Sequence, residues 1–126
     1  MIKLFIQSGA ALGLLGVALG AFGAHALRAT LAASGRADTY ETAVKYQFYH
    51  ALALLAVGIL IQLLGNNPAA VRLLTIAGYL FLAGVIIFSG SLYILCFSGI
   101  TVFGAITPIG GVLLIIGWAL LFWAFL

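Results

Sequence analysis

Apolar positions in this chain run on for whole membrane spans instead of recurring once per helical turn. One apolar run covers about residues 4–24, and others cover about 43–64, where Lys45, Gln47 and His50 interrupt it, 69–95 and 108–126. A helix rises about 1.5 Å per residue and a hydrocarbon core is roughly 30 Å thick, so runs of this length predict membrane-crossing helices. The second run is the informative one. Its uninterrupted apolar part, residues 51–64, is only about 14 residues and too short to cross. The helix must therefore reach back to about Ala43, which draws Gln47 and His50 into the membrane.

Punctuation between the runs is consistent with four helices. Residues 29–37 read as a small-residue connection, with Gly35 as a helix stop. Asp38 and Glu41 have the spacing of a capping box, and Glu41 and Lys45 stand at i and i+4 with the acid first. Tyr40, Tyr46 and Tyr49 suit an interfacial aromatic belt. Gly65, Asn66, Asn67 and Pro68 spell a tight turn in which Asn67 caps the next helix and Pro68 opens it. The third run ends in a small polar patch, Ser89 to Tyr93. The uncharged connection 97–106 then leads to Thr107, expected as an N-cap, and Pro108 in the first turn. Trp118 and Trp123 fall toward the far end of the last helix.

Composition turns this pattern into a class. Hydrophobic residues make up 66% and charged ones 6% of 126 residues, against roughly a quarter charged in ordinary globular chains. Five basic and two acidic side chains cannot cover a water-soluble surface, so this is one integral membrane domain. The net charge of +3 comes from isolated residues, which argues against nucleic acid as a partner. Cys96 is alone and apolar in setting, hence inert packing rather than a reactive thiol. Lys3 followed by an apolar stretch and Ala24-His25-Ala26 imitates a cleaved leader, but that stretch is too long for a typical signal core.

Consecutive spans with short connections must be antiparallel. The expected fold is an all-α integral membrane four-helix bundle made of two antiparallel transmembrane hairpins. One membrane face then collects His25, Arg28, Glu41, Lys45, Gln47, His50, Ser89, Ser91, Tyr93 and Thr107. The other holds Lys3, Gln7, Gln62, Asn66, Asn67 and Arg72. Arg28, Arg36 and Lys45 lie on the polar face against Lys3 and Arg72 opposite, a count that leaves orientation open. Gly16, Gly20 and Ala24 recur at i, i+4 and i+8, with Gly23 beside them, and predict a smooth helix-packing face. Such faces serve close packing inside one bundle, a homo-oligomer or a larger membrane complex; the small size of the chain favours the first.

Several chemistries compete for the polar face. His25 and His50 invite a bis-histidine haem or metal site, but no third ligand stands at metal spacing and the two differ in depth, so no cofactor or metal is expected. Ser89 and Ser91 lack a visible base and oxyanion hole, so no enzyme is expected. His25, Glu41, Lys45 and His50 suit either a proton, ion or ligand path or a polar knot that fixes helix register. The knot is the preferred reading, with Ser89, Ser91 and Tyr93 as the expected partners of His50.

Four motifs in order also carry a resemblance. They are Gly20-Ala-Phe-Gly-Ala-His25, the stretch from Thr42 through Lys45, Gln47 and His50 to Ala53, then Ser89-Gly-Ser-Leu-Tyr93, and finally Thr107-Pro-Ile-Gly-Gly111. The chain resembles, over essentially its whole length, the small four-span family catalogued as domain of unknown function 423. That family includes bacterial inner-membrane proteins and the eukaryotic transmembrane protein 256. The resemblance implies a membrane protein with both termini cytoplasmic and supplies no reaction, substrate or cofactor. The basic C-terminal tail common among bacterial members is missing here. The expected role is structural or accessory, in membrane integrity or complex assembly, with membrane lipids as partners. The alternative is a small transporter or ligand-binding protein using His25, Glu41, Lys45 and His50.

Overall fold

Turn chemistry sets most of the helix ends. The computed structural model describes residues 1–126 and contains five helices: α1 (Ile2–Ala24), α2 (Arg28–Ser34), α3 (Ala37–Leu63), α4 (Pro68–Ser98) and α5 (Val102–Trp123). Gly35 closes α2 in the left-handed conformation at φ 70°, a geometry glycine adopts without steric cost. Asn67 caps α4 by accepting the Ala70 N–H at 3.2 Å, and Pro68 occupies the first turn, both as expected.

Three expectations about boundaries need correction. The supposed connection 29–37 is largely helical: its Ala-rich sequence has high helix propensity and forms α2. Asp38 does not cap α3. That helix begins directly after the Gly35 turn, with Arg36 in the cap position and no side-chain cap bond. Thr107 and Pro108 are likewise not the start of α5. Gly99, at φ 71°, ends α4 and turns the chain at once, so α5 begins at Val102 and Pro108 lies inside it.

The four long helices have 23, 27, 31 and 22 residues and are each long and apolar enough to cross a membrane. Neighbours are antiparallel. α1 packs along α3, α3 along α4 and α4 along α5, while α1 and α5 share no comparable interface. The bundle is therefore an open row of spans, and side chains reaching past a neighbour tie it together. Phe5 of α1, fully buried, crosses to α4 and sits in the space that Gly78 leaves free, edge-on to Tyr79 with ring centroids 5.1 Å apart. Around it the core comprises Leu54, Val57, Leu74, Phe81 and Val85.

Without a hydrophobic driving force between helices in lipid, close van der Waals contact has to bring the spans together. Two glycine seams permit it. On α1, a methyl group at Gly9 would come within 2.7 Å of the Ala51 carbonyl oxygen, and one at Gly23 would overlap the Tyr40 ring. Gly16 and Gly20 lie on the same seam, against Phe48 and Val44. Ala24, grouped with them from its spacing, is exposed; Gly23 turns toward α3 in its place. The second seam joins α4 to α5, where a methyl group on Gly110 would meet the Gly84 carbonyl at 2.8 Å.

Candidate functional site

The length argument that placed Gln47 and His50 inside the membrane leads to the polar centre of the molecule. His50 lies 13 residues into α3, roughly 20 Å from its start. Gln47, His50, Ser89 and Ser91 are each exposed by 5% or less. A polar atom so placed has no water to bond and must find a partner in the protein. Every buried side-chain nitrogen and oxygen has one.

Gln47 joins three helices. Its Nε2 donates to the Leu12 carbonyl of α1 at 2.9 Å, and its Oε1 accepts from the Tyr93 hydroxyl of α4 at 2.6 Å. Ser89 of α4 donates to the Ala43 carbonyl of α3 at 2.7 Å. Tyr40 donates to the Leu19 carbonyl of α1. Between α4 and α5, Ser91 and Thr107 hydroxyls lie 2.6 Å apart, and Ser91 donates onward to the Phe88 carbonyl at 2.9 Å.

His50 ties α3 to α5. Trp118 donates its indole N–H to His50 Nε2 at 3.0 Å, and His50 Nδ1 lies 2.7 Å from the Tyr46 carbonyl. An indole N–H only donates and a carbonyl only accepts, so the ring must carry its proton on Nδ1 and present a lone pair at Nε2. This is neutral imidazole with both nitrogens engaged. Adding a second proton at Nε2 would set two donors against each other and break the bond to Trp118. Phe81 flanks the pair, its ring centroid 5.6 Å from His50 and 4.9 Å from Trp118.

The ten residues expected at the polar face thus fall into two sets. Gln47, His50, Ser89, Ser91, Tyr93 and Thr107 form the buried interhelical bonds. His25, Arg28, Glu41 and Lys45 stay on the rim. Glu41 and Lys45 pair with each other at 3.0 Å as exposed helix neighbours, and neither touches His50. His25 is exposed beside Ala21 and Phe22. The contacts of Gly23 with Tyr40 and Gly20 with Val44 fix the α1–α3 register. That register sets His25 near the start of α3, roughly 20 Å along the axis from His50. The two histidines cannot share one ligand.

The expected partners of His50 also need correction. Ser89 faces Ala43 and Phe81 faces His50, so in this antiparallel register Ser89, Ser91 and Tyr93 stand two turns or more too near the rim. Trp118, expected only toward the far end of the last helix, is the partner instead, and Tyr40, expected in an interfacial aromatic belt, joins α3 to α1 through the Leu19 carbonyl. Trp118 is 46% exposed, yet its N–H reaches His50 and its ring lies against Phe81. An earlier start for α5 was the missing signal, because it sets Trp118 at the depth of His50.

The family model described as "Protein of unknown function (DUF423)" matches residues 19–111. A UPF0382 membrane protein of Staphylococcus aureus is 47% identical over 119 residues, covering 94% of this chain and 92% of the relative. UPF0382 membrane protein YwdK of Bacillus subtilis is 44% identical over 119 residues, covering 94% of this chain and 93% of the relative. A UPF0382 membrane protein of Staphylococcus saprophyticus is 46% identical, with 94% and 93% covered. These names specify a membrane protein and no reaction. No solved structure matches the chain.

Proposed function

This chain belongs to the DUF423 family of membrane proteins, and on that premise we propose a structural or accessory role in the bacterial inner (plasma) membrane, supporting membrane integrity or assembly of a larger complex. One observation carries the reading. The buried polar groups are spent in short bonds within the bundle, five of the eight ending on a main-chain carbonyl and the other three joining side chains of different helices. A proton or ligand path needs polar groups that stay available or connect to one another. Here Gln47 is bonded at both ends, and His50 faces an indole that can only donate. Such groups hold helices in one register, and catalysis finds no free nucleophile or base among them.

The same reading puts both termini on the cytoplasmic side, as the family resemblance implies, with the polar end of the bundle facing out. The role is tested in liposomes loaded with a pH-sensitive dye. Wild type and His50→Leu should leak protons equally, while His50→Leu loses thermal stability in detergent. Proton flux present in wild type and abolished by His50→Leu would replace this role with transport.

A further inference from the structure

Where α1 stops, α2 folds back and α3 begins, the three helices leave a cavity of about 330 Å³. Small-molecule sites span roughly 300–1,000 Å³. The cavity exists because Gly20, Gly23 and Ala24 put almost no side chain into it. Val44 supplies an apolar wall about 10 Å inside the start of α3, and Arg28 and Glu41 line the space as well. It therefore runs from the polar rim into the upper hydrocarbon layer.

Its two charges are not equivalent. Glu41 is neutralised by Lys45 at 3.0 Å, the one ion pair in the chain. Arg28 has no carboxylate partner and makes no side-chain hydrogen bond, so the site keeps one uncompensated positive charge on mainly apolar walls. An amphiphile with an acidic head and a hydrocarbon tail complements that combination. Guanidinium binds phosphate oxygens through paired N–H donors.

We propose that this cavity seats one membrane phospholipid, its phosphodiester held by Arg28 and an acyl chain lying along Gly20, Gly23 and Val44. The site shares Tyr40 with the interhelical bonds but stands apart from those of Gln47 and His50 and does not depend on the role assigned to them. An inorganic phosphate ion would gain nothing from the apolar wall, so the lipid is the occupant.

Native mass spectrometry tests this on detergent-purified protein titrated with dioleoyl phosphatidylglycerol. Wild type should retain one lipid, as should Arg72→Gln, which alters a cation at the opposite end. Arg28→Gln should weaken retention about tenfold, the value of one charged hydrogen-bonded contact. Ala24→Leu should weaken it by filling the cavity. Both altered residues are exposed, and unchanged thermal midpoints would show the bundle intact; if Ala24→Leu unfolds, Arg28→Gln still decides. Millimolar inorganic phosphate should not displace the lipid. Equal retention by Arg28→Gln and wild type, no retention by wild type, or displacement by inorganic phosphate would each overturn the site.

Discussion

Inside hydrocarbon a polar side chain is tolerated only when its neighbours supply what water would. Gln47 meets that condition on both sides of its amide, at the Leu12 carbonyl and the Tyr93 hydroxyl. Gln47→Leu should lower stability by about 1–2 kcal/mol, since hydrogen bonds between membrane helices average near 0.6 kcal/mol and reach about 1.7. Tyr93→Phe should cost less, because it removes one of the two bonds. Once Gln47 is gone, Tyr93→Phe should cost almost nothing more. Equilibrium unfolding in mixed detergent reads all three values. Gln47 and His50 were legible in the sequence because a span too short to cross must recruit the residues before it. Their partners were not, since partner choice depends on register between helices, and one residue of slip is about 1.5 Å. The register sets Ser89 opposite Ala43, about two turns from His50, which meets an indole from a different helix.

Helix by helix, glycine marks where backbones touch, but spacing alone does not say which glycines do so. Gly9 and Gly90 make the contrast. A methyl group at Gly9 would meet a main-chain oxygen at 2.7 Å, whereas nothing lies within 4 Å of one at Gly90. Gly9→Ala should therefore destabilise the protein by about 1–3 kcal/mol, the usual range for overpacking. Gly90→Ala should be neutral or stabilising by up to about 1 kcal/mol, because alanine restricts the unfolded chain. Thermal midpoints in detergent check both. The smooth face of α1 was visible in Gly16, Gly20 and Gly23, and Gly9 escaped because the spacing i, i+4, i+8 was followed only forward from Gly16, whereas Gly9 stands seven residues before it on the same face. The early start of α5 escaped for another reason. Proline favours first turns, and only the left-handed turn at Gly99 shows that the helix has already begun.

As a whole, the molecule is a row of four spans whose outer members, α1 and α5, share no comparable interface with each other. Hydrogen bonds and a few long side chains hold the row, with apolar outer faces left to lipid. The antiparallel order requires that reporters fused after Gly35 and after Asn67 lie in opposite compartments; a shared compartment would undo the four-span topology. Fold class and span number followed from apolar length and the scarcity of charge, which act over the entire chain. The closing contacts of the row, Phe5 to Gly78 and Trp118 to His50, are long-range and leave no trace in local pattern.

The bond between His50 and Trp118 joins two helices that otherwise barely meet, and it carries the reading of the polar layer as a lock. A double-mutant cycle on equilibrium unfolding, with His50→Leu, Trp118→Phe and both together, isolates it. The two changes should be coupled by about 0.6–1.7 kcal/mol, with the double variant losing less than the sum of the single ones. Strictly additive losses, or a His50→Leu variant as stable as wild type, would contradict a lock at this position.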